Sequence, residues 1–485
     1  MIPAPALEIA VVVWGFILLL AEAFADRAGR RTFAIAAIVG LVVVFLATFF
    51  LRTPPVVPSV SGFWSFYTAD ALAIFFKRFA LITTILVLVM SLDYAPAIER
   101  GVPAAKPEAG LGEFFTLPIF TCAGLMWMAS AIDFVMIFVS LELVSISFYV
   151  LVSFTRRNPV TLEAGVKYLI LSALSTGFLV YGITWIFGVT GETNLARITS
   201  LVTTQSVDRV PLIFGFVLVL VAFGFKIAAV PFQIWVPDVY QGAPTPVTAL
   251  LSVGSKAAGF VVLLRILPPF LIFPEIGRLL IGVTAATLIY GNFAALPQSN
   301  LKRLLGYSSI AHAGYLLIGV VAFSGAAVTY YLAAYLLMTL LAFAVLIVVG
   351  NAAGEQIEDY AGLAKRSPFL AFAMLIGMVS LAGVPFTAGF LGKFFIFDAA
   401  IRQHQIALVV IGVITVGCGF YYYLKVVRAM YWLDPPAGSG PVGTSALSRF
   451  TMSLLIAATI FLGVYPQPVL DALHPDARVT SNVAP

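Results

Sequence analysis

Charge is what this chain has least of. Asp, Glu, Lys and Arg together make up 10% of its 485 residues, where a soluble domain carries about 25%. No long polar stretch separates the apolar ones, which excludes an attached soluble domain. Cysteine is nearly missing: Cys122 and Cys418 both fall in apolar segments. Two thiols are too few for a four-cysteine metal site or the ligands of an iron–sulfur cluster, and they read as small packing residues. Walker and haem-attachment motifs are lacking, and so is any metal-ligand cluster. Gly438-Ser-Gly440-Pro-Val-Gly443 fits G-x-G-x-x-G, but it follows Asp434-Pro-Pro with no strand before it. It is therefore rejected as a nucleotide site. A net charge of +5 is too small to point to nucleic acid. The N-terminus lacks the basic region of a cleavable signal, and Glu8 stands at the start of its first apolar run.

What the chain has is hydrophobic surface, at 61% of residues. Apolar runs of about 20 residues read as spanning helices. Fourteen are expected, centred near residues 14, 42, 83, 121, 143, 176, 221, 253, 288, 317, 338, 380, 418 and 457. Lipid allows only helices or closed barrels, and the alternation of a barrel strand is absent. The expected fold is an all-α polytopic membrane protein with about 14 transmembrane helices. One set of loops carries Arg27, Arg30, Arg31, Arg100, Lys106, Arg156, Arg157, Lys302, Arg303, Lys365, Arg366, Arg428 and Arg449. The opposite set carries Arg52, Arg197, Arg209, Arg265, Arg278, Arg402 and Arg478. The richer set is cytoplasmic by the positive-inside rule, which puts both termini on the non-cytoplasmic side.

Two of the expected spans are interrupted. Phe223-Gly-Phe-Lys226-Ile-Ala-Ala-Val-Pro231-Phe232 carries a lysine and then a proline. Ala382-Gly-Val-Pro385-Phe386-Thr-Ala-Gly389-Phe-Leu-Gly392-Lys393 carries them in the reverse order. Proline removes a backbone donor and clashes one turn back, so spans 7 and 12 are expected to be broken helices. Either proline alone reads as a simple kink. A lysine beside each points further, to the paired breaks of an inverted-repeat transporter. Five spans separate equivalent positions, so the second unit is upside down relative to the first. The expected organisation is flanking helices 1–3 in 1–110, a first repeat of helices 4–8 in 111–265, and a second of helices 9–13 in 266–435. A loop, helix 14 and a tail fill 436–485.

Charge at membrane depth is costly and marks ion pathways. Glu142 sits mid-span, with Asp133 and Arg156 its nearest charges along the chain. Lys226 has no other charge between Arg209 and Asp238. An isolated carboxylate and an isolated lysine each shift towards neutrality, and each opposes that shift in the other. Glu142 is therefore expected to modulate a proton held on Lys226. Lys256 lies on a face of small residues, Ser252, Gly254, Ser255, Ala257, Ala258 and Gly259, which suits close helix packing. It is a relay candidate. His312 is suited to pass protons near neutral pH, with Tyr307 and Tyr315 as possible hydroxyl extensions. Lys393 follows the second break and would hold the last proton, unless it pairs with Asp398. Lys77, Arg78, Glu163, Lys167 and Lys425 lie nearer span ends and rank as secondary.

The run Gly224-Phe-Lys226 through Trp235-Val-Pro-Asp238-Val-Tyr-Gln-Gly-Ala-Pro-Thr-Pro246 to Gly254-Ser-Lys256-Ala-Ala-Gly-Phe resembles the subunit N family of bacterial NADH–quinone oxidoreductase, respiratory complex I. Leu141-Glu142-Leu-Val-Ser, Glu163-Ala-Gly-Val-Lys167-Tyr, Tyr307-Ser-Ser-Ile-Ala-His312-Ala-Gly-Tyr and Gly383-Val-Pro-Phe-Thr-Ala-Gly-Phe-Leu-Gly-Lys393-Phe are similar to it as well. The resemblance covers nearly the whole chain. It implies a proton-translocating subunit in the bacterial inner membrane, acting through Glu142, Lys226, Lys256, Lys393 and His312. It also implies that no cofactor binds this chain, and that NADH, FMN, iron–sulfur clusters and quinone belong to partner subunits. The partners implied are a small membrane subunit, near Glu163 and Lys167, and an M-type antiporter-like subunit. A lysine at 393 and an end about 20 residues past span 14 favour N over its M and L paralogues. Two alternatives stay open: a cation/proton antiporter subunit, and a related complex fed by ferredoxin, a deazaflavin or hydrogen.

Overall fold

The computed structural model describes residues 3, 5–24, 30–51, 64–102, 111–204 and 207–473. Arg27, Arg52, Lys106 and Arg478, four of the loop cations expected to set orientation, lie outside the described residues. In chain order the helices are α1 (Pro5–Phe24), α2 (Arg30–Ala47), α3 (Ala71–Gly101), α4 (Gly112–Ser130), α5 (Phe134–Val152), α6 (Pro159–Thr190), α7 (Leu195–Thr204) and α8 (Arg209–Ile227). Then come α9 (Val236–Gly242), α10 (Thr245–Leu250), α11 (Lys256–Ile266), α12 (Pro274–Ala295), α13 (Leu301–Val321), α14 (Gly325–Ala352) and α15 (Leu363–Arg366). The last are α16 (Pro368–Ala382), α17 (Ala388–Arg402), α18 (Ile406–Trp432), α19 (Ala446–Val464) and α20 (Gln467–Leu473).

Among the described residues, 13 helices are long and apolar enough to cross a membrane. The expected span near residue 380 is divided instead into α16 and α17, of 15 residues each. Large apolar side chains such as Phe16, Val43, Ile170, Ile414 and Phe450 remain exposed, as lipid-facing residues do. The chain is a multi-pass membrane protein.

The structure forms two compact units. One holds 1–88, 101–227 and 254–279. In it α4 packs on α1 and α5, and α6 lies along α8. Glycine sets that last approach: a Cβ on Gly182 would stand 2.5 Å from the Gly215 carbonyl oxygen. Such small-residue crossings let helix backbones touch where no hydrophobic effect drives them together. Helix starts are fixed by side-chain caps. Asp133 accepts from the amide of Val135 at 2.8 Å, and Asn158 from that of Val160 at 3.0 Å.

The other unit holds 89–100, 228–253 and 280–485. Its centre is α13, where 20 of 21 residues are buried. A helix buried all round carries no amphipathic pattern. Around it pack α9, α14, α17 and α18, and α19 covers α14 and α17.

Candidate functional site

Both expected breaks are present. α8 stops at Ile227, Ala228 turns left-handed at φ 65°, and the Val230–Pro231 bond is cis. The Val230 amide, which a continuous helix would have satisfied, donates instead to Thr287 Oγ1 at 3.0 Å. In the second unit α16 stops at Ala382, Gly383 takes φ 92° and Phe386 φ 67°. A left-handed residue other than glycine costs about 1–2 kcal/mol, so each break is held open by its surroundings.

In the first unit, Asp133 starts α5 so that Glu142 falls midway along it. A Cβ on Gly124 would meet Val144 Cγ2 at 2.7 Å and the Ser140 carbonyl at 3.2 Å, so α4 presses on the same turn. Glu142 is half-buried and accepts from Thr176 Oγ1 of α6 at 2.7 Å. Lys226, next to last in α8, is 4% exposed. Its Nζ donates to Ser145 Oγ at 2.8 Å and to Ser172 Oγ at 3.5 Å. The Tyr168 ring centroid lies 5.9 Å from it. Ser145 in turn donates to the Leu141 carbonyl at 2.6 Å, and Tyr149 donates to Ser172 at 3.0 Å. The two charges are thus not joined directly. Lys226 reaches the Ser145 hydroxyl, one turn beyond Glu142.

Lys256 is buried and opens α11 directly after a π-helical turn, Leu251–Ser255. Such turns are frequent at functional positions. One turn further, a Cβ on Gly259 would lie 2.8 Å from Ile227 Cγ2 and 3.6 Å from Lys226 Cβ. The small residues around Lys256 therefore bring its helix to the Lys226 end of α8.

In the second unit His312 is buried on α13 between two tyrosines. Its Nδ1 lies 2.7 Å from the Tyr331 hydroxyl and its Nε2 3.1 Å from the Tyr423 hydroxyl. Tyr423 also bonds Ser308. Of the expected extensions, Tyr315 packs edge-on against the His312 ring, with 6.1 Å between centroids. Tyr315 pairs with Thr415 at 3.2 Å and Tyr307 packs on Tyr290. Both share the helix of His312, whose ring nitrogens face α14 and α18.

Lys393 is 6% exposed. It does not pair with Asp398, which is bound by Arg402 at 2.9 Å. Its Nζ donates to the carbonyls of Leu381 at 3.0 Å and Ala382 at 2.7 Å, and stands 5.0 Å from the Tyr315 ring centroid. It therefore caps the free C-terminal carbonyls of α16, where the helix dipole favours a cation. A Cβ on Gly383 would meet the Lys393 side chain at 3.0 Å. Glycine at 383 provides both the left-handed turn and room for the lysine.

The secondary residues divide. Glu163 and Lys167 form an exposed i,i+4 pair at 2.7 Å. Lys425 donates to the Gln298 carbonyl at 3.0 Å, and Arg78 to Thr48. Lys77 is different: it is fully buried and ion-paired with Glu8 at 2.8 Å. In the sequence, Glu8 and Lys77 each lie near the start of an apolar span.

A family profile described as "NADH:quinone oxidoreductase/Mrp antiporter, TM" matches residues 131–419. The NADH-quinone oxidoreductase subunit N of Trichlorobacter lovleyi is 40% identical over 96% of this chain and 94% of its own length. That of Moorella thermoacetica is 37% identical over 96% of each chain. This chain belongs to the subunit N family of NADH-quinone oxidoreductase. Among solved structures, a chain of respiratory complex I from Thermus thermophilus superposes with a TM-score of 0.80 at 30% identity, covering 96% of this chain and 99% of that one. A chain of the Mrp complex from Dietzia superposes at 0.81 with 21% identity, over 98% of this chain and 99% of that one. The second likeness is one of fold alone. Subunit N relatives match along nearly the full length, so both breaks and all five expected site residues lie within the aligned family region.

Proposed function

We propose that this chain is a proton-translocating membrane subunit of NADH-quinone oxidoreductase and performs no redox step itself. NADH, flavin, iron–sulfur clusters and quinone act on partner subunits, and their electron transfer drives the charges held here. The observation that carries this reading is Lys226. It is a buried lysine at a helix break, held by hydroxyls rather than by a carboxylate, in a chain of the subunit N family.

Glu142, Lys226 and Lys256 in one unit, and His312 and Lys393 in the other, are the groups assigned to hold protons. A lysine bound by serine hydroxyls can give up its proton without stranding a carboxylate partner. The nearby Glu142 charge favours the ammonium, so moving that charge changes how firmly Lys226 holds its proton. His312, between two tyrosine hydroxyls, has an exchange partner at each ring nitrogen. Repeats of helices 4–8 and 9–13, both termini outside and residence in the bacterial inner membrane belong to the same proposal. So do a small neighbouring subunit near Glu163–Lys167 and an M-type neighbour.

The Mrp and sulfane sulfur reductase likenesses, at 21% and 22% identity, are likenesses of fold and do not favour an antiporter or another electron donor. Mild purification from native membranes tests the assignment. Co-purification with flavin and iron–sulfur subunits that oxidise NADH is expected. Isolation with antiporter subunits alone would overturn it.

A further inference from the structure

The first unit holds a second buried charge site that this proton path does not use. Glu8 near the start of α1 and Lys77 near the start of α3 are both 0% exposed, with Nζ 2.8 Å from Glu8 Oε1. The Tyr67 hydroxyl donates to that same oxygen at 3.1 Å and accepts from Lys77. The other carboxylate oxygen, Oε2, is buried and has no hydrogen-bond partner among the described residues. Such an orphaned acceptor is costly and calls for an explanation.

Among the described residues the titratable surroundings are few. Cys122 lies within range of the Glu8 charge, and Asp70 and Arg265 within range of Lys77. Asp70 is 44% exposed and takes both arms of the Arg265 guanidinium, at 2.9 and 2.7 Å. Arg265 also binds the Ala129 carbonyl at 3.0 Å. The groups form a graded series: an exposed carboxylate, a nearly buried guanidinium, then the buried pair. Arg265 lies nine residues after Lys256 on α11, about 13 Å along the axis.

A buried ion pair is weak evidence of stabilisation, because its apolar replacement is often neutral or favourable. An intramembrane pair is more readily explained by function. We infer that Glu8 and Lys77 form an additional proton-holding site, which takes its proton on Glu8 Oε2 and exchanges it with water at the Asp70 end. On uptake one O–H bond forms at Oε2 and the carboxylate becomes a carboxylic acid. Lys77 stays an ammonium, and release returns the proton to water. The inference rests on the proton-translocating reading above.

The test uses the intact membrane complex. Glu8→Gln, Lys77→Met and the double variant are compared with Lys226→Ala for protons moved per NADH oxidised. A fall of at least about twofold in the assembled double variant is expected. Wild-type pumping by the double variant, with Lys226→Ala inactive, would overturn this inference alone. Wild-type pumping by Lys226→Ala would overturn the underlying reading. If the double variant does not assemble, pH-difference infrared spectra of wild type and Glu8→Asp decide. A carboxylic-acid band that moves in Glu8→Asp is expected, and identical spectra would refute the site.

Discussion

Lys226 and Lys393 stand beside the same Val-Pro-Phe sequence and are held in opposite ways. Lys226 precedes its break and binds side-chain hydroxyls on α5 and α6. Lys393 follows its break and binds backbone carbonyls at the end of α16. Hydroxyls rotate and can serve as donor or acceptor, so the first lysine has partners that survive its deprotonation. Carbonyls only accept, so the second lysine completes a helix end as well as carrying a charge. The same residue type is thus tuned by side chains in one unit and anchored by main chain in the other.

Close packing at the second break offers the largest effect. A Cβ on Gly389 would stand 1.9 Å from the Ser380 carbonyl oxygen, and backbone cannot yield as a side chain can. Overpacking costs about 1–3 kcal/mol and occasionally more. Gly389→Ala should therefore reach the upper end, about 3 kcal/mol, and deplete intact complex on native gels. Gly417→Ala, with nothing within 4 Å of its Cβ, should leave the amount unchanged.

The lysines themselves should then separate by stability. Lys393→Met leaves the Leu381 and Ala382 carbonyls without their donor, at about 1–3 kcal/mol in all. Lys226→Met strands less, because Ser145 keeps its bond to the Leu141 carbonyl. Thermal melting of the purified complex should fall clearly for the first and little for the second. Equal melting would mean that the anchoring difference carries no energy.

A smaller effect is expected at the partners of Lys226. Ser145→Ala removes a hydrogen bond to a charged group, worth about 1.5–3 kcal/mol. Coupled pumping should fall at least about tenfold, at unchanged assembly. Smallest of all is Lys365→Ala. Lys365 binds Asp434 at 2.7 Å outside the membrane helices, and that bond holds the Asp434 carboxyl below its ordinary value. A lowered carboxylate contributes above its unfolded value and loses that contribution as pH falls through the folded one. The small melting difference between wild type and Lys365→Ala should therefore be constant above about pH 5 and shrink as pH falls below that.

These contrasts were only partly legible in the sequence. Proline and glycine placed both breaks, since their backbone limits are local. Isolated charges within apolar runs picked out Glu142, Lys226, Lys256, His312 and Lys393. What holds each of them was not legible, because Ser172, Thr176, Tyr331 and Tyr423 lie on other helices. His312 looked to Tyr315 on its own helix, but its ring nitrogens find α14 and α18. The π turn before Lys256 leaves no compositional mark. Glu8 and Lys77 were separated by too much sequence to read as a pair, although each lay near a span end.

The central claim is that Lys226 holds a transported proton. The most direct test is the number of protons moved per NADH oxidised by an assembled Lys226→Ala complex in sealed vesicles. Coupled pumping is expected to be lost while the intact complex still forms. Pumping at the wild-type ratio would contradict it.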